Sequence, residues 1–317
     1  MKIPSLINMR LILHHWDTDG ICSAALLYNE ESKNMTPIIG NYFLTDDEIE
    51  RISQFDEIYI ADLALHEDSL KKLVEVARVK VFDHHLTKKI DGVEYINPIM
   101  NGKEEEEYPS ASWIVGEFLE KENILSFLGA VGDWEERIKQ TKFYSKLQKF
   151  MKKEGISFKE MLEMVSLLDS NYKMGNKKEV EKAVSMLWKA DDIANFILNN
   201  RKWRENKRKI EEEIIKAIDE EEIIIRGIRI KEIDCPYNII STVARRLWNG
   251  KEYVIVVNKG YFEKECQVYV RGENVAHLIK MAHQLGYIAG GKKNVMGAIV
   301  PKQECNEFIE KILEVIK

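Results

Sequence analysis

Arg10-Leu11-Ile12-Leu13-His14-His15-Trp16-Asp17-Thr18-Asp19-Gly20 is the stretch that decides how this chain is read. A short apolar run ends abruptly in imidazoles and carboxylates. The same punctuation recurs downstream. Ile58-Tyr59-Ile60-Ala61 runs into Asp62, Val79-Lys80-Val81-Phe82 runs into Asp83-His84-His85, and Gly129-Ala130-Val131-Gly132 delivers Asp133. In a parallel α/β sheet, ligands gather at the carboxyl ends of the strands. Carboxylates and imidazoles converging there imply metal ions, because so much negative charge in one cleft would otherwise repel itself and raise its own pKa values.

Around this stretch, strand and helix patterns alternate. Leu11 to His14 reads as a strand, Gly20 to Glu31 as a helix, and Pro37 to Phe43 as a strand. Asp46 to Ser53 is a short helix. Asp56 to Ala61 and Val79 to Phe82 are strands, with a helix over Asp68 to Val76 between them. This rhythm predicts a parallel sheet with helices on both faces. Beyond about residue 96 the pattern turns helical, over Pro109 to Glu120, Ile124 to Val131, Lys142 to Lys153, Phe158 to Leu168 and Glu179 to Ala190.

Ile193 to Ala217 reads as one long connecting helix. Its basic stretch from Arg201 to Lys209 is weighed as a charged face held by i,i+4 pairs such as Lys207 with Glu211, ahead of a phosphate track with Trp203 stacking on a base. After Glu222 alternation returns, with strands at Ile223 to Ile230, Tyr253 to Val257, Gln267 to Val270 and Ala298 to Val300. Helices are expected at Tyr237 to Trp248, at Asn274 to Leu285 with Asn274 as N-cap, and at Glu304 to Ile316. The expected fold class is α/β: an N-terminal parallel-sheet domain with a helical subregion (1–192), a long connecting helix (193–221) and a smaller C-terminal α/β domain (222–317).

Composition narrows the function. The chain has 317 residues, 45% of them hydrophobic, and no apolar run long enough to span a membrane. Its N-terminal residues lack the pattern of a signal peptide, so a cytoplasmic location and no membrane partner are expected. Four scattered cysteines form no C-x-x-C pair and suggest no structural zinc. Charged residues reach 32%, rich in Lys and Glu. That is the bias of hyperthermophile proteins, and an archaeal or thermophilic source is expected. A net charge of −6 argues against a long duplex partner and for a small or single-stranded substrate.

In their order, His15 to Gly20 as His-x-Asp-x-Asp-Gly, Asp62 after a strand, the triplet Asp83-His84-His85, and Gly132-Asp133 resemble the DHH phosphoesterase family, on its RecJ-like and nanoRNase-like branch. Gly290-Gly291-Lys292-Lys293-Asn294-Val295-Met296-Gly297 is similar to the glycine-rich loop of the DHH-associated C-terminal domain. The resemblance implies two metal ions per site. Asp62 would bridge them, with His15 and Asp17 on one and Asp19, His84 and Asp133 on the other. Carboxylate and imidazole ligands suit Mn²⁺, with Mg²⁺ or Co²⁺ as alternatives. The resemblance gives His85 a catalytic role beside the phosphate and Asp83 an orienting one. Arg271, Gly290, Gly291, Lys292, Lys293 and Asn294 would bind substrate.

Two points depart from the family pattern. Lys292 stands where the loop commonly has histidine, and Leu13 stands where pyrophosphatase-like relatives place theirs. The expected activity is a manganese-dependent exonuclease releasing nucleotides from single-stranded DNA or short RNA. The first alternative is a small-nucleotide hydrolase acting on a 3′-phosphoadenosine nucleotide or a cyclic dinucleotide. The second is a non-catalytic nucleic-acid-binding scaffold. A homo-oligomer or a DNA-repair partner protein is compatible with each.

Overall fold

The computed structural model describes residues 9–316. They divide into two compact units, one holding the residues up to 172 with 176–204, the other 173–175 with the residues from 205 on.

The first unit opens with β1 (Arg10–His14), α1 (Thr18–Leu27), β2 (Ser32–Met35), α2 (Asp46–Ile52), β3 (Glu57–Ala61), α3 (Glu67–Val76), β4 (Arg78–Phe82) and β5 (Val93–Ile96). The strands form one sheet in the order β2-β1-β3-β4-β5, every neighbour parallel. Leu11, Ile12 and Leu13 on β1, Ile58 and Ile60 on β3, and Val79, Val81 and Phe82 on β4 are all buried. Continuous apolar runs are what a strand covered on both faces requires. The strand order reverses at β1, with β2 on one side and β3 on the other. A crevice at the carboxyl ends of the strands flanking such a reversal is where doubly wound sheets bind ligands.

Two edge strands differ from the sequence expectation. No strand forms over 37–43, where Gly40 turns the chain with φ +92°. The edge is instead Ser32–Met35, whose mostly polar residues pair on one flank only. The other edge, β5, is equally short and lies outside the expected strands.

Helices α4 (Ala111–Phe118), α5 (Ile124–Trp134), α6 (Tyr144–Glu154), α7 (Phe158–Lys173), α8 (Lys177–Lys189) and α9 (Ile193–Leu198) follow, and α10 (Arg201–Asp219) crosses the division. Asp133 therefore comes from the last turn of a helix and not from the end of a strand. Helix α4 starts at Ala111 because the Ser110 side chain accepts from the Trp113 amide, so Pro109 lies outside it. The helix expected over 193–217 is broken at Asn199 and Asn200. The Asn200 side-chain carbonyl accepts from the Trp203 amide at 3.2 Å, an N-cap that starts a new helix. Apolar period alone does not register such a break.

Trp203 is buried, 1% exposed, and meets Phe196 edge-on at 5.7 Å. It is a core residue, which removes the base-stacking reading. Its basic neighbours are paired: Lys202 with Glu179 at 2.8 Å, Lys209 with Glu205 at 2.8 Å, and Arg208 with Glu212.

The second unit adds β6 (Ile223–Ile225), β7 (Ile228–Ile233), α11 (Ile240–Leu247), β8 (Val254–Asn258), β9 (Glu265–Arg271), α12 (Ala276–Gln284), β10 (Ile288–Lys292), β11 (Val295–Pro301) and α13 (Cys305–Val315). The sheet runs β10-β11-β9-β8-β7-β6, antiparallel throughout except for β7 with β8. The run expected as one strand over 223–230 is a hairpin, turned at Arg226 and Gly227, both with positive φ. Helix α12 begins at Ala276 after Val275, while Asn274 takes a left-handed φ of +59° instead of capping. Among the described residues, no helix is long and apolar enough to cross a membrane.

Trp203→Ala should lower unfolding free energy by about 3–5 kcal/mol through the cavity it opens. Urea denaturation followed by far-UV circular dichroism measures this. A change below about 1 kcal/mol would contradict the packing assigned to Trp203.

Candidate metal centre

The crevice of the parallel sheet gathers the carboxylates and imidazoles carried by the loops after β1, β3 and β4 and by α1 and α5. His15, Asp17 and Asp62 present ligand atoms all within 4.8 Å of one another, and so do Asp19, His84 and Asp133. Asp62 is buried and holds a left-handed φ of +55°, a strained position for a residue with a Cβ. Its amide donates to the Phe82 carbonyl at 2.9 Å. Its two oxygens face different partners. Oδ2 lies 3.6 Å from His15 Nδ1, and Oδ1 lies 3.6 Å from His84 Nε2. His84 Nε2 is also 3.1 Å from Asp133 Oδ2, and His15 Nδ1 is 2.9 Å from Asp17 Oδ2.

Each member is held from behind. The Asp17 side chain caps α1 by accepting from the Gly20 amide at 3.1 Å. A Cβ at Gly20 would overlap the His15 carbonyl and Cβ, so only glycine lets the helix start this close to the strand end. Asp19 points from α1 into the N-terminus of α4. Its oxygens accept from the Ala111 amide at 2.7 Å and the Ser112 amide at 2.8 Å, where the helix end favours negative charge. Helix α5 leaves room for that carboxylate through Gly129, whose missing Cβ would overlap Asp19 Oδ1 and Ser112 Oγ. Thr18 fixes the start of α1 against α7, its amide and hydroxyl both donating to Asp169 Oδ1, at 3.0 and 2.7 Å.

Asp83 and His85 adjoin this set: with Asp62 and His84 they too present ligand atoms all within 4.8 Å of one another, and His85 Nδ1 lies 3.9 Å from Asp62 Oδ1. Asp83 Oδ1 accepts from the His84 and His85 amides at 2.8 and 3.2 Å and lies 2.8 Å from His85 Nδ1. That contact puts the Nδ1 proton toward Asp83 and leaves Nε2 as the working nitrogen. His14 is buried away from the cluster. Its Nδ1 is 2.7 Å from the His15 carbonyl and its Nε2 is 3.3 Å from the Asn34 side-chain Nδ2, so both nitrogens are occupied. Burial holds it neutral, with its pKa lowered to about 4.

The electrostatics of the cluster are unfavourable without a cation. Burial, then the Asp19 and Asp17 charges, push Asp62 well above the usual carboxylate range. Burial and Asp133 raise Asp19 to about 6. For His84, burial favours the neutral ring, but contacts with Asp133 and Asp62 override it and hold the pKa well above its ordinary value. In Asp17, burial is likewise overridden by the His15 contact and the pKa falls. Despite their short distances to carboxylates, His15 Nδ1 and His84 Nε2 are buried without a properly directed hydrogen bond. Two orphaned imidazole nitrogens facing carboxylates fit a pair of divalent cations. His15, Asp17 and Asp62 would hold one, and Asp19, Asp62, His84 and Asp133 the other.

The substrate-binding candidates lie in the second unit. Gly290, Gly291 and Lys292 are in strand β10 and not in a loop, and Lys293 and Asn294 form the turn into β11. Lys292, Val295 and Arg271 line up across three neighbouring strands, and Gly290 faces Gly297. The Arg271 guanidinium lies 5.0 Å over the Trp248 ring. The Lys293 and Asn294 carbonyls accept from the Val275 and Gly272 amides at 2.7 and 3.2 Å, tying the turn to the end of β9.

Sequence reasoning missed Ser112, Gly129 and Asp169, because each acts on a residue far away in the chain. It also missed Tyr42, whose hydroxyl is 3.4 Å from His15 Nε2. A single glycine or serine in an apolar helix carries no distinguishing signal.

No family model matches the chain, and no curated protein matches it. Solved structures do. One, described as the DHH domain of a member of a family of ribosomal proteins, superposes with a TM-score of 0.70 at 15% identity over 98% of this chain and 87% of its own. RecJ from Thermus thermophilus, in complex with Mn²⁺, gives 0.66 at 16% over 96% of this chain. The chain spans 51% of that protein's length. An exonuclease RecJ bound to manganese gives 0.62 at 17%, covering 96% of this chain and 89% of its own. At such identities the likeness shows the fold: the chain has the architecture of DHH-domain proteins.

Gly129→Ala should displace the Asp19 carboxylate and weaken divalent-cation binding by about 10–100-fold, as loss of a supporting contact does. Calorimetric titration with Mn²⁺ reads this, and an unchanged affinity would contradict the role of Gly129. In chelator, Asp62→Asn should raise the melting temperature by a few degrees at neutral pH, each kcal/mol giving about 2–4 °C in a chain of this size. The raised carboxyl destabilises the fold when ionised, and Asn tolerates the left-handed backbone. The gain should shrink as pH falls toward the ordinary carboxylate range, where Asp62 is protonated in both states. A lower melting temperature at neutral pH would contradict the repulsion.

Proposed function

We propose that this chain is a two-metal-ion phosphodiesterase, and in particular an exonuclease that releases nucleotides from single-stranded DNA or short RNA. The observation that carries the reading is Asp62, a buried carboxylate whose two oxygens face two different ligand groups. One carboxylate between two cations is the arrangement that two-metal phosphoryl-transfer sites use. The fold is shared with RecJ structures described as manganese-bound, which supports Mn²⁺, with Mg²⁺ or Co²⁺ as substitutes.

When bound, such a metal pair supplies positive charge against phosphate oxygens and lowers the pKa of water. The protein's own residues do the rest. Asp17 and Asp19, fixed by the helix N-termini of α1 and α4, keep the ligand set rigid without the chain reorganising. His85 takes its orientation from Asp83. In its protonated form Nε2 gives a proton to the departing sugar oxygen as its bond to phosphorus breaks, while a water oxygen bonds to phosphorus and releases its proton to solvent. Arg271, Lys292 and Lys293 of the second unit are assigned to phosphate contacts, Arg271 through its planar fork. Gly290, Gly291 and Asn294 complete the substrate-binding set.

The purified chain with Mn²⁺ should shorten a labelled single-stranded 20-mer in steps of one nucleotide, and chelator should abolish this. His85→Ala should lower kcat by about 10²–10⁴-fold with Mn²⁺ affinity retained. Loss of both together would place His85 among the ligands. Intact oligonucleotides beside rapid cleavage of a dinucleotide would move the assignment to small nucleotides. No cleavage of either would defeat the phosphodiesterase reading.

A further inference from the structure

Ile223, Ile224 and Ile225 make up β6, an edge of the second unit's sheet, and all three side chains are exposed, Ile224 at 64%. An unprotected apolar edge strand is a template for pairing with another chain, and proteins that stay monomeric blunt such edges with charge, proline or a bulge. Shortness is a further such device and β6 has only three residues, but no charge, proline or bulge interrupts it.

The backbone is set to pair as well. Arg229 lies opposite Ile224, and its amide donates to the Tyr253 carbonyl at 3.0 Å, away from β6. Ile224 and Arg229 are therefore a non-hydrogen-bonded pair of the hairpin, which leaves the Ile224 N–H and C=O facing outward from the sheet. The hairpin turn at Arg226 and Gly227, φ +53° and +79°, fixes this register.

The flanking charges select the partner and its direction. Glu220, Glu221 and Glu222 precede the strand and Arg226 follows it. Two copies paired antiparallel about Ile224 would set Ile224 against Ile224, Ile223 against Ile225, and Glu222 against Arg226. Parallel pairing would set glutamate against glutamate and arginine against arginine, which is destabilising. Glu222 already accepts from Arg229 through both carboxylate oxygens, at 2.8–3.2 Å, so its carboxylate is held at the strand end where the second copy's arginine would arrive.

We propose that β6 is a homodimer contact, in which the edge strand of one copy pairs antiparallel with that of a second copy and joins their two sheets into one. Only a short strand is engaged, so the contact belongs at the small, transient end of interfaces and the dimer dissociates on dilution.

Sedimentation equilibrium up to protein concentrations on the order of 10⁻⁴ M should show the mass rising from 37.0 kDa toward twice that value. Ile224→Lys should remain monomeric over the same range with an unchanged melting temperature. Ile224→Cys should cross-link to a dimer on mild oxidation, because directly opposed residues of this kind lie about 5.5 Å apart, within disulfide reach. The four native thiols are buried and do not compete. Gln303→Cys, exposed outside the strands, should cross-link at least about tenfold more slowly. A monomeric wild type throughout, self-association that survives Ile224→Lys, or equal cross-linking of the two cysteine variants would overturn the proposal.

Discussion

Asp62 is the constraint around which the first unit is organised. It sits at the end of β3 in a left-handed conformation, buried, with one oxygen toward His15 and the other toward His84. A carboxylate in that position, near the Asp17 and Asp19 charges, is held far from its ordinary ionisation. Repulsion of this size persists in a fold only where the surrounding structure over-determines it, which is the mark of a functional site. Divalent cations held between the two ligand groups would convert the repulsion into ligation. The same residues would then destabilise the fold without cations and stabilise it with them.

The supporting contacts show how that strain is contained. Asp19 is anchored by the first amides of α4, residues that lie 92 and 93 positions further along the chain. Asp83 spends one oxygen on three contacts with the two histidines that follow it. Asp19 and Asp133 ride on helices, and the other members stand in loops within a few residues of the strand ends, so these contacts and not the elements alone set the geometry.

Much of this was legible in the sequence because the parallel sheet writes a plain pattern. Buried strands such as Leu11–Leu13 and Ile58–Ala61 are continuous apolar runs, and the residues just past them had to enter the crevice. The edge strands β2 and β5 were not legible, since strands paired on one side carry little apolar signal. Asp133 is singled out in sequence by its place in an ordered motif set, and the structure brings it beside Asp19 and His84 from a helix. The division between α9 and α10 was hidden because the Asn200 cap preserves the apolar phase. The glycine motif reads as a loop in sequence, whereas Gly290 and Gly291 lie in a strand: a Cβ at Gly290 would meet open space, and one at Gly291 would overlap the Val295 carbonyl. Gly129 and Ser112 could not be found at all, because their importance lies in a distance to Asp19 and not in their own chemistry.

If two cation sites share Asp62, the bound ions lie close enough to feel each other's spins. Ions joined by one carboxylate sit about 3.5–4 Å apart. Electron paramagnetic resonance of the chain loaded with Mn²⁺ reads that coupling, and a coupled pair with two ions per chain is expected. A spectrum of isolated Mn²⁺ at saturation, or a single ion per chain, would contradict the shared carboxylate.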